Sequence, residues 1–202
     1  MNYNRNYGDG PIGTYFNNGG HFPGLYHKRY FRQDPREAPP SIGELIYPRL
    51  NMIPEFQRTD EDLAVAPPRS DLLLPPGAPG NISSIEALVE RFDATPLVKD
   101  EIMVEVKLTL PEDETAHKGW ERVRAFALNE FAIKRSLAAV LVLHRPDLAG
   151  SSNPRHVHVL VPARKLTIDG FSAKAELLGC ADGHRAIWLA WCEHLAEEGK
   201  GA

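Results

Sequence analysis

The residues best equipped for chemistry are three histidines: His144 in Leu143-His144-Arg145-Pro146-Asp147, and His156 and His158 in Arg155-His156-Val157-His158-Val159. Three of the chain's eight histidines fall within fifteen residues. A neutral imidazole offers one nitrogen lone pair near neutral pH, which makes it a common ligand for divalent ions. Side chains alternate along a strand, so His156 and His158 share one face while Val157 and Val159 share the other. Three imidazoles can hold a divalent ion and leave positions open for water and a phosphate oxygen. The plainer reading is a strand that happens to contain histidines. Convergence of all three through one hairpin favours the metal.

The elements needed to bring them together are legible nearby. Ala138 to His144 is a continuous apolar run of the kind buried on both faces, and residues 156–162 form a second. Gly150-Ser151-Ser152-Asn153-Pro154 supplies the turn between them. Strands joined this closely pair antiparallel, so His144 at the end of one meets His156 at the start of the other. Upstream, Glu101 to Leu110 alternates Ile102, Val104, Val106, Leu108 and Leu110 with Met103, Glu105, Lys107 and Thr109, a half-buried strand. Ser83-Ser84 caps a helix to about Phe92. Pro111-Glu112-Asp113-Glu114 opens another, whose stripe Trp120, Val123, Ala127, Leu128, Phe131 and Ala132 continues to about Ser136. After a turn at Asp169-Gly170, a last helix spans about His184 to Glu197. The class expected is α+β, a central antiparallel sheet with flanking helices.

The front of the chain differs. Of 17 prolines, 12 lie in the first 80 residues, with 9 of 16 glycines and all six tyrosines. Residues 1–82 read as an irregular or partly disordered arm, and residues 83–202 as the folded domain. Cys180 and Cys192 lack CxxC spacing and read as reduced thiols. With no apolar run long enough for a bilayer and no signal-peptide core, the expected compartment is the cytoplasm. The net charge of −4 argues against a protein that coats nucleic acid. Residues 144–165 nevertheless carry four Arg/Lys against one Asp, a local basic site.

Taken in order and at their spacings, several pieces resemble the MobA/MobL family of plasmid mobilisation relaxases, members of the HUH (His-hydrophobic-His) endonucleases. They are Leu108-Thr109-Leu110-Pro111-Glu112, the isolated His144, Asn153-Pro154 leading into His156-Val157-His158, then Arg164, Asp169-Gly170-Phe171 with Lys174, and Arg185…Trp188…Trp191. They cover roughly residues 100–198. The resemblance implies a sheet of about five antiparallel strands and a magnesium- or manganese-type ion held by His144, His156 and His158. It also implies nicking and religation of single-stranded DNA at a plasmid or mobile-element transfer origin. There a tyrosine hydroxyl attacks the phosphodiester and retains a 5′-phosphotyrosine link. Other mobilisation or conjugation proteins are the implied partners.

The family places its tyrosine in an N-terminal helix after a first strand, in a context like Ala-Ala-Tyr-Arg, and this chain has no such tetrapeptide. No tyrosine follows Tyr47, so any nucleophile comes from the front section. Tyr26 and Tyr30, at helical i,i+4 spacing among Lys28, Arg29 and Arg32, are the candidates. The alternative for that segment, and the favoured one, is an exposed basic stretch without catalytic part; for the chain it is a non-catalytic DNA- or metal-binding relative. A related replication initiator or transposase carries its tyrosine downstream of the HxH triplet, where this chain has none. Arg145, Arg155, Arg164 and Lys165 are candidate phosphate contacts. Glu105 either supports a ligand histidine or is an exposed strand glutamate, the latter favoured. The tryptophans fall on apolar stripes and belong to the core, whereas His184 and His194 read as surface residues.

Overall fold

The computed structural model describes residues 4–6, 12–17, 24–32, 41–51, 68–96, 101–149, 152–175 and 181–199. In chain order these hold β1 (Asn4–Asn6), β2 (Ile12–Asn17), β3 (Leu25–Arg32), α1 (Gly43–Leu50), β4 (Ser70–Leu73), α2 (Ile85–Asp93), β5 (Glu101–Thr109), α3 (Ala116–Ala127), β6 (Ala139–His144), β7 (His156–Pro162), β8 (Arg164–Thr167), β9 (Gly170–Lys174) and α4 (Ala181–Glu198). A π-helical turn, Leu128–Ile133, extends α3. Cys180 and part of the 150–154 turn lie outside the described residues.

The chain is α+β, with an antiparallel central sheet flanked by helices. The sheet has seven strands in the order β1-β2-β3-β5-β7-β6-β4, and β8-β9 form a separate hairpin. Four of the seven, with α1, come from described segments of the proline-rich front. Proline and glycine dominate that composition, yet the intervening runs are long enough to pair. Tyr26 and Tyr30 consequently sit on a strand, not a helix. A spacing of four still leaves both on one face, because it is even.

Cross-strand partners face the same way, and this sorts the sheet. On one face, Val104, Val106, Leu108, Leu141, Leu143, Val157, Val159 and Val161 pack beneath Trp120, Val123 and Phe126 of α3 and Ile187 and Trp191 of α4. On the other, Met103, Val140, Val142 and Leu160 meet Ile42, Leu45 and Ile46 around α1, Leu88 and Phe92 of α2, and Phe171 of β9. Each fully buried apolar side chain contributes about 1.5–3 kcal/mol relative to exposure. The second layer covers only one end of its face. Beyond Val142 on β6 and Leu160 on β7, that same face carries His144, His156 and His158.

Candidate metal centre on the second face

β7 lies between β5 and β6, hydrogen-bonded along both edges, so its side chains stand on an interior strand of the sheet. Val157 and Val159 are fully buried in the first-face core, and this anchors the alternation that turns His156 and His158 the other way. Pairing sets His144 opposite His156 and Val142 opposite His158. The ring centroids of His144 stand 5.3 Å from His156 and 4.5 Å from His158, and those of His156 and His158 are 4.8 Å apart. One nitrogen from each ring lies within 4.8 Å of the others, a set that could hold a metal ion.

Hydrogen bonds assign the ring nitrogens of two of them. His156 Nδ1 stands 2.8 Å from the Pro154 carbonyl, which only accepts, so Nδ1 carries the proton. His158 Nδ1 donates to Glu105 Oε1 at 2.5 Å. In the neutral rings both Nε2 atoms then carry lone pairs, and they face each other across 3.1 Å. Two lone pairs this close repel unless a proton or a cation lies between them. Burial pushes the His156 imidazole down to about 4, which disfavours a proton carried by His156 itself. Two ligand nitrogens 3.1 Å apart are close enough to share one divalent ion. The donor set fits a divalent cation. His144 Nε2 donates to the Arg49 carbonyl at 2.7 Å, which leaves its Nδ1 as the accepting nitrogen, and burial also lowers its pKa.

Two residues missed or misjudged from sequence complete the site. Glu105 is 3 % exposed, not a surface glutamate. It accepts from His158, from the Tyr30 hydroxyl at 2.5 Å, and from Arg49 Nε and Nη2 at 3.2 and 3.1 Å. Burial alone would raise its carboxyl, but the His158 hydrogen bond and the Arg49 charge overcome this and hold it below the usual carboxylate range. Arg49 lies in the last turn of α1, where backbone carbonyls lack helical partners, so its own carbonyl can orient His144. Its side chain also donates to Tyr30 at 3.0 Å. The only local signal was the pattern Ser41-Ile42-Gly43-Glu44-Leu45-Ile46, a short helix opening within a stretch dominated by proline.

The tyrosines divide. Tyr30 is 3 % exposed, with its hydroxyl committed to Glu105; burial, then the Glu105 charge, pushes its pKa far above the ordinary phenol value. Tyr26 is half-buried on the same face and feels both Glu105 and Arg49, with burial the larger cause of its raised pKa. Tyr47, on α1 two residues before Arg49, packs its ring over Gly43. Burial, then the charges of the α2 acids Glu86, Asp93 and Glu90, raises its pKa.

Among the candidate phosphate contacts, Arg145 sits beside His144 and pairs with Asp147 at 2.8 Å. Arg155, next to His156, spends one guanidinium nitrogen on the carbonyls of Pro111, Glu112 and Glu114. Arg164 is buried and Lys165 exposed, both on β8 beyond the far end of β7, about 25 Å along the chain direction from His156. The structure does not bring these last two to the histidines. His184 proves buried, at 1 % exposure, with its ring centroid 3.4 Å from that of His27 on the first face. His194 is half-buried, with Nε2 3.2 Å from the Arg122 carbonyl. Trp120 and Trp191 are in the core as expected.

A family model described as the MobA/MobL family matches residues 60–197, about two thirds of the chain. The fold is similar to a solved chain described as "Molecular Basis of Vancomycin Resistance Transfer in Staphylococcus aureus". The TM-score is 0.51 and the identity 19 %, over 65 % of this chain and 71 % of that one. At that identity the likeness is one of fold. None of the curated proteins matches the chain. No helix among the described residues is long and apolar enough to cross a membrane.

Proposed function

The chain belongs to the MobA/MobL family, and from that premise we propose that it nicks and rejoins single-stranded DNA at a transfer origin, using a divalent ion and a tyrosine. The observation that carries the reading is the convergence of His144, His156 and His158, with the Nε2 atoms of His156 and His158 3.1 Å apart and both Nδ1 atoms tied to acceptors. His144, His156 and His158 would hold the ion, with Glu105 and the Arg49 carbonyl orienting the rings. When bound, such an ion, magnesium or manganese in this proposal, would withdraw charge from a phosphate oxygen.

Of the two tyrosines singled out from sequence, Tyr26 is the proposed nucleophile, since Tyr30 is locked by Glu105. In the reaction the Tyr26 oxygen bonds to phosphorus as the bond from phosphorus to the 3′ oxygen breaks. The phenolic proton passes to water and the departing 3′ oxygen gains one, leaving a 5′-phosphotyrosine and a free 3′-hydroxyl. The second reading gives this role to Tyr47, because α1 follows β3 and the Arg49 carbonyl in its last turn holds His144. A rotation of that side chain off Gly43 is then required.

The test uses a supercoiled plasmid carrying the DNA that flanks this protein's gene, with Mn(II) or Mg(II) present. We expect metal-dependent nicking that His156→Ala and His158→Ala abolish, and undiminished nicking by either variant refutes the metal assignment. A covalent adduct on a denaturing gel, mapped by peptide mass, decides between Tyr26 and Tyr47. A chain that binds metal and oligonucleotide but forms no adduct is a non-catalytic relative.

A further inference from the structure

We propose that Lys107 grips a backbone phosphate of the DNA strand, between the tyrosine and the histidines; the assignment rests on the strand-transfer reading above. Pairing registers set Tyr26 opposite Lys107 and Lys107 opposite His158, which places the three in one row on one face. Adjacent strands are about 4.8 Å apart, so Lys107 stands midway across a gap of about 10 Å between the other two backbones. A phosphodiester placed to be attacked from the β3 side and polarised from the β7 side passes over this position.

The surroundings of Lys107 call for an anion. It is half-buried, and its ammonium sits 5.1 Å from the centre of the Tyr26 ring. Lys28 repeats the arrangement over Tyr30 at 4.8 Å. Neither lysine makes an ion pair among the described residues. Glu105, a buried carboxylate on this face, is already shared by Arg49, Tyr30 and His158. An ammonium left unneutralised beside a cluster built for a dication is unfavourable alone. A phosphodiester removes the conflict: one non-bridging oxygen faces the histidine cluster and the other accepts from the lysine. The flanking aromatic rings suit the bases of an unpaired strand.

The experiment compares wild type, Lys107→Met and Lys107→Arg as full chains. Mn(II) affinity is measured by titration, and fluorescently labelled oligothymidylate affinity across a salt series. Lys107→Met should keep Mn(II) binding, lose on the order of tenfold in oligothymidylate affinity at low salt, and reduce the salt slope by about 0.7, with Lys107→Arg restoring most of both. An unchanged slope in Lys107→Met overturns the assignment. So does a parallel loss of Mn(II) binding, which marks a structural role. Competition by inorganic phosphate as strong as by unlabelled oligothymidylate would assign the lysine to a free anion instead. If wild type binds Mn(II) but not oligothymidylate, the strand-transfer reading itself fails.

Discussion

Replacing Glu105 with glutamine tests the support beneath the histidines. The carboxylate receives four hydrogen bonds on two oxygens: His158 Nδ1, the Tyr30 hydroxyl, and Arg49 Nε and Nη2. Glutamine offers one acceptor oxygen and turns an NH2 group toward these donors. At least one buried donor is then opposed, which costs about 1–3 kcal/mol. Arg49 loses its counter-charge as well. Breaking a fully buried pair costs about 3–5 kcal/mol, and with the Arg49 side chain 27 % exposed we discount this to about 2. The expected loss of folding stability is therefore about 3–5 kcal/mol, large against the usual 5–15 for a domain. With the His158 ring no longer held by a carboxylate, Mn(II) affinity should fall about 10- to 100-fold. Urea denaturation and Mn(II) titration near neutral pH read the two effects, with Glu105→Asp as the variant that keeps the charge. A folded Glu105→Gln chain with wild-type Mn(II) affinity would falsify the proposed support.

Three further outcomes follow from named contacts. His184 is buried, and burial, then the Arg29 charge, lowers its imidazole to about 4 from 6.5. Its folded form resists the proton that the unfolded form accepts, so the stability this position contributes is present above about 6.5 and lost as pH falls toward about 4. That loss is at most about 3 kcal/mol, and His184→Gln should flatten the chemical-denaturation profile over that window; an unaltered slope would rule the residue out. Arg155→Ala should lower stability by about 1–2 kcal/mol through the freed carbonyls before α3, with oligothymidylate affinity little changed; a large affinity loss without destabilisation would restore it as a phosphate contact. Tyr30→Phe should cost about 1–2 kcal/mol and leave covalent adduct formation intact, while loss of the adduct would make Tyr30 the nucleophile.

The site illustrates which information is local and which is not. Strand alternation and turn chemistry act over a few residues, so His156-Val157-His158, the apolar run before His144 and the proline-containing turn already placed three imidazoles at one end of a hairpin. The same locality made α2, β5, α3 and α4 readable from periodicity and capping. The front strands escaped because their polar and aromatic residues alternate without an apolar face: β3 carries Tyr26, Lys28 and Tyr30 on one side and His27 and Arg29 on the other. Only tertiary structure could decide that Glu105 is buried, since its partners His158 and Arg49 lie 53 and 56 residues away in sequence. The same holds for the Arg49 carbonyl, 95 residues from the ring it orients. Such pairs form only when closed loops and packed layers bring their segments together, and the free energy for that comes from the core beneath the sheet rather than from the site. Residue type and spacing determined what the histidines could do; the fold determined which acid, which arginine and which tyrosine stand beside them.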